Sequence, residues 1–286
     1  METATGSATQ PPWGAYAPSA TANAVLWLAR NSILGRGLGR KITAAVFKSL
    51  HAGPTDVRLW GTEVRLYPDN NVVERKALLR PDHFDAPERD FLRDTMSDKK
   101  PVFVDVGGNA GFYTLDAALH AADDATIVMI EPDSDLIGRL AFNLGQARGL
   151  GKIRQSVNIH SFAVAISDHE GQGTLATSGD EGSRNIVAST ETRGRVVQLR
   201  PLYSVVRDAR LDHIDIIKID VEGHEDKVLP PYFLNAPQYL WPRRIIVEHL
   251  QQSLWTIDCI GDAKMRGYTI VKTTRNNTFL EKSRNS

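Results

Sequence analysis

The main feature of the chain is a series of strand-like runs separated by stretches with helical spacing. Largely apolar runs occur at 102–106, 126–130, 158–165, 214–219 and 244–247. Runs that do not alternate with polar residues are typical of strands buried on both faces. Because helical spacing follows the first two runs, the pattern predicts an α/β fold with a mostly parallel sheet.

The first part of the chain follows other patterns. Residues 1–21 are rich in Ala, Thr, Ser, Gly and Pro without periodicity, so we expect a disordered leader. Helical spacing predicts helices over 22–34 and 39–50, and alternation around Gly61 predicts a β-hairpin over 56–67. The resulting division is a leader, 1–21, a helical extension, 22–55, and a main domain, 56–286.

Two later segments depart from the alternation of strand and helix. Short strands at 173–177, 185–189 and 195–199, joined by polar turns rich in glycine, predict a small meander. Residues 254–265 have helical spacing, and 268–281 have the pattern of a terminal hairpin. We therefore expect an antiparallel strand pair to complete the sheet.

Charge is balanced over the whole chain but not along it. The 286 residues contain 34 Lys and Arg and 34 Asp and Glu, so the formal net charge is zero. This balance argues against a general nucleic-acid-binding protein, which is usually basic. The single cysteine, Cys259, excludes a disulfide scaffold. Residues 1–55, with five basic residues against one acid, Glu2, are nevertheless basic.

The N-terminal segment has no apolar run long enough to span a membrane. The longest, 24–29, ends at Arg30, and no basic residue precedes it as in a secretory signal. We therefore expect a cytoplasmic protein. The basic helices within 22–50 could contact a membrane surface peripherally, and the alternative is a helix pair that only covers the main domain.

A glycine-rich turn follows the run at 102–106. Glycines after a buried strand allow a tight turn and the close approach of a ligand. Asn109 stands where the fingerprint of NAD-binding proteins requires a glycine, so an NAD-dependent oxidoreductase is a less favoured alternative. Glu131 ends the next strand, where an acid can bind both hydroxyls of a ribose. Together these features predict a ribose-containing cofactor.

A second charged motif ends the run at 214–219. Lys218 interrupts the run, and Asp220, Glu222 and Glu225 follow it closely. Open α/β sheets place their ligand crevice at the carboxyl ends of strands, so charge collected here indicates a site. The alternative is an ion-paired strand end in which Lys218 neutralises a neighbouring acid.

These motifs together resemble the FkbM-type family of methyltransferases that depend on S-adenosylmethionine (SAM). The family segment K-I-D-V-E-G-x-E stands unchanged at 218–225, and Asp105–Gly111, 245–249 and 84–88 are similar to further segments. The resemblance covers residues 56–281. It implies a Rossmann-like class I methyltransferase fold with a seven-stranded, mostly parallel sheet and an antiparallel last strand. The N-terminal helical and hairpin extension is predicted from the residue pattern and not from the resemblance.

The resemblance also implies roles for single residues. The SAM-binding set would be Asp105, Gly107, Asn109, Gly111, Glu131, Ala165 and Asp168. The glycine turn would border the amino-acid portion of SAM, Glu131 would bind the ribose, and the stretch from Ala165 to Asp168 would border the adenine. Asp220 would lie below the sulfonium. The chain departs from the family at Leu202-Tyr203 and at Pro230-Pro231, which concerns the acceptor side.

A general base is expected beside the acceptor, because an alcohol is a poor nucleophile. The candidates for catalysis are Asp220, Glu222, His224, Glu248 and His249, with the two histidines first because they titrate near neutral pH. The carboxylates of Asp220, Glu222 and Glu225 could also hold a divalent cation, although a metal is not favoured.

The predicted function is SAM-dependent O-methylation of a hydroxyl on a sugar, a glycolipid or a secondary metabolite. The segment 229–232 resembles the box that binds amino groups in other methyltransferases, but it lies away from the strand end and is interpreted as a helix stop. The alternative from another class is a non-catalytic protein of this fold that acts as a binding or assembly partner in glycan synthesis. The oligomeric state stays open.

Overall fold

The structure, a computed structural model, describes residues 10–176, 186–187 and 194–283. The chain divides into two units, with the boundary after Pro81. The helices are α1 (Ala20–Asn31), α2 (Gly37–Leu50), α3 (Val72–Leu79), α4 (Ala86–Met96), α5 (Phe112–His120), α6 (Ser134–Gly149), α7 (Leu202–Asp208), α8 (Leu229–Asn235) and α9 (Cys259–Met265). The strands are β1 (Thr55–Leu59), β2 (Thr62–Leu66), β3 (Val102–Val106), β4 (Thr126–Ile130), β5 (Asn158–Phe162), β6 (Ala165–Ile166), β7 (Gly171–Ala176), β8 (Ile186–Val187), β9 (Gly194–Arg200), β10 (Ile216–Ile219), β11 (Arg244–Glu248), β12 (Tyr268–Thr273) and β13 (Asn277–Lys282).

The first unit contains a buried ion pair on its hairpin. The Nε of Arg65 on β2 donates to Oδ1 of Asp56 on β1 at 2.7 Å. Arg65 also donates to the backbone oxygens of Pro11 and Pro12, and Asp56 accepts from the backbone N–H of Tyr16. The expectation of a disordered leader therefore does not hold from residue 10 onward, because a buried ion pair needs its remaining hydrogen bonds satisfied and this segment supplies them.

The hairpin belongs to the first unit, whereas the sequence predicts that the main domain begins at residue 56. Strands β1 and β2 pair antiparallel, and α3, which the sequence analysis does not predict, packs beside β2. Asn71 begins α3 by accepting from the backbone N–H groups of Val73 and Glu74. Two short strands are not stable alone, so they are buried by the helices nearest to them in the chain.

The second unit contains the seven-stranded sheet that the sequence predicts. Its order is β12-β13-β11-β10-β3-β4-β5, and β13 is the antiparallel strand. The chain runs outward from β3 through β4 and β5, then returns to the other side of β3 as β10. The strand order thus reverses between β3 and β10, and open α/β sheets bind ligands at such a reversal, beyond the carboxyl ends of the strands.

Both faces of the sheet are covered, which explains the unbroken apolar runs. Phe103 and Val104, consecutive on β3, are fully buried, as are Ile216 and Ile217 on β10. Consecutive side chains of a strand point to opposite faces, so burial of both requires packing on each side. This packing fixes the strand ends that carry the charged motifs.

The second unit also contains a small second sheet, and one predicted strand is divided between the two sheets. Its order is β6-β9-β7-β8, and it contains the meander expected from 171 to 199. The strand predicted over 158–165 is divided, because β5 ends at Phe162 in the large sheet and β6 pairs with β9. The strand predicted over 185–189 is described at 186–187 alone, and its other residues lie outside the described part.

Two helix boundaries also differ from the predictions. The segment 229–232 begins α8, with prolines in its first turn, whereas the sequence predicts a helix stop there. Proline is tolerated in a first turn because the N–H groups there have no intrahelical partner. The helix predicted over 254–265 is reduced to α9, since Asp258 accepts from the N–H of Gly261 and caps it.

Candidate active site

The glycine turn after β3 is shaped by the close approach of two strand ends. A Cβ atom on Gly107 would lie 1.8 Å from the carbonyl oxygen of Asp220. Gly107 has a φ of +77° and Gly111 a φ of +76°, in the left-handed region that favours glycine. Asn109 has a φ of +50°, which Asn tolerates better than most residues. The backbone therefore requires glycine at position 107, where β3 meets β10, and at 111 an added Cβ would lie 2.6 Å from the Leu140 side chain on α6.

Glu131, directly after β4, holds this turn in place. Its Oε2 accepts from the backbone N–H of Asn109 and its Oε1 from that of Asp133, both at 2.9 Å. Burial raises the pKa of Glu131 to about 7, although the two backbone hydrogen bonds lower it. The predicted ribose-binding residue thus lies beside the turn, oriented by two backbone donors.

Lys218 is buried on β10 and makes an ion pair. Its Nζ donates to Oδ2 of Asp220 at 2.8 Å and lies 4.6 Å from the centre of the Tyr113 ring. Burial lowers the pKa of Lys218, but the charges of Asp220 and Asp105 outweigh burial and raise it above the usual value. The ion-paired strand end, one of the two interpretations of the sequence, is therefore present.

Asp105 is fully buried next to Lys218 in the register of β3 and β10. Its Oδ2 accepts from the Thr114 hydroxyl at 2.8 Å, and its Oδ1 has no partner among the described residues. Burial raises the pKa of Asp105, and Lys218 opposes this shift. This residue, predicted to bind SAM, joins β3 to α5 and supports the turn from within the sheet.

Acidic side chains collect at the ends of β10 and β11. Burial, with the charges of Asp220 and Glu222, raises the pKa of Glu248 to about 9, and Glu248 Oε2 has no partner within the described residues. Burial and the charge of Asp220 also raise the pKa of Glu222 to about 7, although Gln251 donates to Glu222 Oε2 at 2.7 Å. We call Asp220, Glu222 and Glu248 the carboxylate cluster; within it, Glu222 can take up and release a proton near neutral pH.

Glu225 serves the loop that follows β10. Its Oε1 accepts from the backbone N–H groups of Val221 and Gly223, and its Oε2 accepts from Trp255 Nε1 at 2.7 Å. Both oxygens are thus used by the protein itself. In the described part of the chain, no group of three or more His, Cys, Asp or Glu could hold a metal ion. The sequence analysis allows a divalent cation at this strand end without favouring it, and that expectation stays a prediction.

The two candidate histidines have different surroundings. His224 is exposed, whereas His249 is half-buried after β11. The Nδ1 of His249 lies 3.0 Å from the hydroxyl of Thr278, and its backbone N–H donates to the carbonyl of Asn276. His249 is therefore oriented by β13 and its preceding turn, while acids occupy the buried positions at the strand ends.

The residues predicted to border the adenine begin the small sheet. Ala165 is buried on β6. Asp168 is exposed, and a hydrogen bond from His169, at 2.6 Å, lowers its pKa. Lys227 Nζ lies 3.9 Å from Asp168 Oδ2, so this ion pair connects the loop after β6 with the segment after β10.

Asp85 and Tyr113 belong to the site, although the sequence analysis gives them no role. The Tyr113 hydroxyl donates to Asp85 Oδ2 at 3.0 Å, and the same ring lies against Lys218. Asp85 has a φ of +41°, and burial together with the charge of Glu88 raises its pKa. The sequence signal for Asp85 is its place in the segment 84–88, which resembles a family segment.

Comparisons with known proteins find similar solved structures and one matching family model. Similar solved structures include a putative O-methyltransferase from Klebsiella pneumoniae (TM-score 0.42, 15% identity, 69% of this chain and 80% of that one). Another is SMU.1697c, a putative methyltransferase from Streptococcus mutans in complex with SAH (TM-score 0.40, 10% identity, 70% of this chain and 97% of that one). No curated protein sequence matches. The family model "Methyltransferase FkbM domain" matches residues 105–283, from the glycine turn to the last strand.

Proposed function

The chain belongs to the FkbM methyltransferase family, and on that premise we propose that it methylates a hydroxyl group of a sugar, a glycolipid or a secondary metabolite, with SAM as the methyl donor. The observation that carries the hydroxyl acceptor is the carboxylate cluster. The pKa of Glu222 is raised to about 7, so Glu222 is partly ionised at neutral pH and can accept the proton of a hydroxyl, whereas Glu248, with a pKa of about 9, is protonated there.

The residues around the turn fit SAM. Gly107 brings the end of β3 against the backbone of Asp220 at the end of β10, which is the strand reversal where sheets of this kind bind ligands. Gly111 begins α5 without a capping side chain, and helix N-termini favour the carboxylate of an amino-acid group. The carboxylate of Glu131 is fixed by two backbone donors, and because each carboxylate oxygen has a second lone pair, it can still accept from ribose hydroxyls. The acidic strand ends complement the positive sulfonium, which makes SAM a donor of an activated methyl group.

The chain's own part in the reaction is orientation and proton transfer. The ion pair with Lys218 fixes the Asp220 side chain, and Tyr113 packs against Lys218. The floor of the site is therefore rigid. Asp85, Asn109 and Glu222 are non-glycine residues with positive φ, and such strain often occurs at functional sites. We assign proton acceptance to Glu222, because a group with a pKa of about 7 is partly ionised at neutral pH and can still accept a proton.

An amino-group acceptor is less consistent with the strand end. The segment 229–232 that resembles an amine-binding box begins α8, where Leu229 and Tyr232 are buried. The Tyr232 hydroxyl donates to the carbonyl of Leu240 at 2.8 Å, so it is occupied by the fold. The box therefore serves packing, which supports oxygen over nitrogen as the methylated atom.

Binding and transfer can be tested separately on the full chain. Calorimetric titration with SAM tests the cofactor, and incubation of labelled SAM with cell extracts, followed by mass analysis, tests the acceptor. We expect SAM binding and a product that carries the methyl group on oxygen.

Each other outcome contradicts a different part of the proposal. SAM binding without transfer to any extract component would favour the non-catalytic binding protein. Binding of NAD instead of SAM would favour the oxidoreductase. A methyl group on nitrogen would leave the methyltransferase standing and refute the hydroxyl acceptor.

A further inference from the structure

The first unit carries an unusual concentration of exposed apolar side chains. Within the described residues, eight of the eighteen large hydrophobic side chains that are exposed lie between residues 27 and 50. Ile33 is 82% exposed, Leu38 73% and Trp27 62%. Monomeric proteins expose single apolar residues routinely, but a contiguous group indicates an interaction surface. We call this group the apolar face; it consists of Trp27, Leu28, Ile33, Leu34, Leu38, Ile42, Val46 and Leu50.

Helix geometry places part of the apolar face on the outer side of α2. With about 100° between successive residues, Leu38, Ile42 and Val46 lie within about 80° of each other. Thr43 and Phe47 of the same helix are buried, so α2 already has an inward side that satisfies the fold. Folding of this unit therefore does not account for the outer apolar stripe.

The two helices present this surface as one rigid piece. A Cβ atom on Gly35, in the turn between them, would lie 1.8 Å from the carbonyl oxygen of Ala29 in α1. On α1, Leu26 and Ala29 are buried while Trp27 and Leu28 face outward. Ile33 stands in the same turn, at the tip of the helix pair. The apolar face is therefore preformed.

Charge indicates what the apolar face contacts. No acidic residue occurs between Glu2 and Asp56. Four basic residues, in contrast, lie at the N-cap of α2 or within the helix: Arg36, Arg40, Lys41 and Lys48. Lys41 and Lys48 follow one flank of the outer stripe, since they lie seven residues apart. The Nζ of Lys48 also lies 3.2 Å from Oδ1 of Asp69, but its side chain is still 63% exposed. A protein partner with an apolar groove needs no such one-sided charge, whereas anionic lipid headgroups beside acyl chains match both properties.

We propose that α1 and α2 bind the surface of an anionic lipid bilayer, with the apolar face at the boundary of headgroups and acyl chains. Trp27 has the amphipathic ring that such an interface favours, and Lys side chains can extend from an apolar surface to phosphates. Within the described residues, no helix combines the length and the apolar character needed to cross a bilayer, which is consistent with contact from one side. The proposal does not depend on the acceptor proposed above.

Vesicle flotation of the full chain tests this proposal. The probe is phosphatidylcholine vesicles with about 30% phosphatidylserine, compared with pure phosphatidylcholine, at about 0.1 M and 0.5 M salt. We expect binding to the anionic vesicles, weakened by salt. The double variant Ile33→Ser, Leu38→Ser should lose at least about tenfold in partitioning, and Lys41→Glu at least about fivefold.

The matched control is Leu234→Ser, Met265→Ser, which removes two equally exposed apolar side chains from the second unit (74% and 83% exposed). It should bind vesicles like the unchanged chain. Circular dichroism and SAM titration on every variant separate a lost lipid contact from a lost fold or a failed cofactor assignment. Three results would overturn the proposal: no binding to anionic vesicles, equal binding to neutral ones, or a dimer that the Ile33→Ser, Leu38→Ser variant makes monomeric without any lipid effect.

Discussion

The close approach at Gly107 leads to the sharpest prediction, the effect of Gly107→Ala. The new Cβ would lie 1.8 Å from the carbonyl oxygen of Asp220, whereas such contacts are essentially never shorter than 3.0 Å, so the strand ends must separate by about 1.2 Å. The neighbouring hydrogen bond, from the N–H of Asp220 to the carbonyl of Val106 at 3.0 Å, would lengthen or break.

The expected loss in the free energy of unfolding is the sum of two contributions. A left-handed φ in a non-glycine residue costs about 1–2 kcal/mol, and a lost buried hydrogen bond about 1–3 kcal/mol. We therefore expect Gly107→Ala to lower the free energy of unfolding by about 2–5 kcal/mol. Gly151→Ala is the matched control, because Gly151 has a φ of +64° but nothing within 4 Å of its added Cβ. This variant should lower the free energy of unfolding only by the cost of the left-handed φ, about 1–2 kcal/mol.

Hydrogen exchange measured on peptides from β3 and β10 is the suitable assay, because it reports on the second unit separately from the first. Protection in these strands should fall for both variants, and it should fall further for Gly107→Ala than for Gly151→Ala. SAM affinity should be lost in the former variant and kept in the latter. If the two variants differed by less than about 0.5 kcal/mol, the close approach of β3 and β10 would not be what requires glycine.

Three further predictions concern single carboxylates. With Glu222 as proton acceptor, kcat/KM should rise with pH through about 7, since the ionised form of Glu222 is active. The variant Glu222→Gln should lower kcat/KM about 10²–10⁴-fold. The calorimetric Kd for SAM should stay unchanged in this variant. Glu131→Ala should weaken SAM binding at least about tenfold in the same titration, as a ribose ligand is lost; an unchanged Kd would exclude that role. Asp56→Asn should destabilise the first unit by about 3–5 kcal/mol, because Arg65 would stay buried without the opposite charge of Asp56. Exchange protection in β1 and β2 measures this, and protection equal to that of the unchanged chain would contradict it.

Much of the large sheet can be predicted from the sequence, because a strand that is buried on both faces has an unbroken run of apolar residues. The run at 102–106 and that at 244–247 correspond to β3 and β11 within a residue. Where a local signal has two meanings, prediction fails. Pro230-Pro231 is compatible with the end of one helix or the first turn of the next, and the structure has the second.

The site shows the same division. The glycine turn and the segment 218–225 can be found in the sequence because backbone geometry and charge act over a few residues. The pairing of Asp85 with Tyr113, 28 residues apart, has no local counterpart. Glu225 shows the reverse: in the sequence it is another acid of the motif, but its contact with Trp255, 30 residues away, makes it a support of the loop.

The sequence by itself determined the strand and helix alternation, the glycine turn and the acidic strand end, because periodicity, positive φ and charge density are properties of short segments. Tertiary structure alone decided that Lys218 neutralises Asp220 and that Glu222 and Glu248 have raised pKa values. It also left the apolar face uncovered. These properties depend on burial and on distances between elements, and both are set by how the elements pack and not by their order.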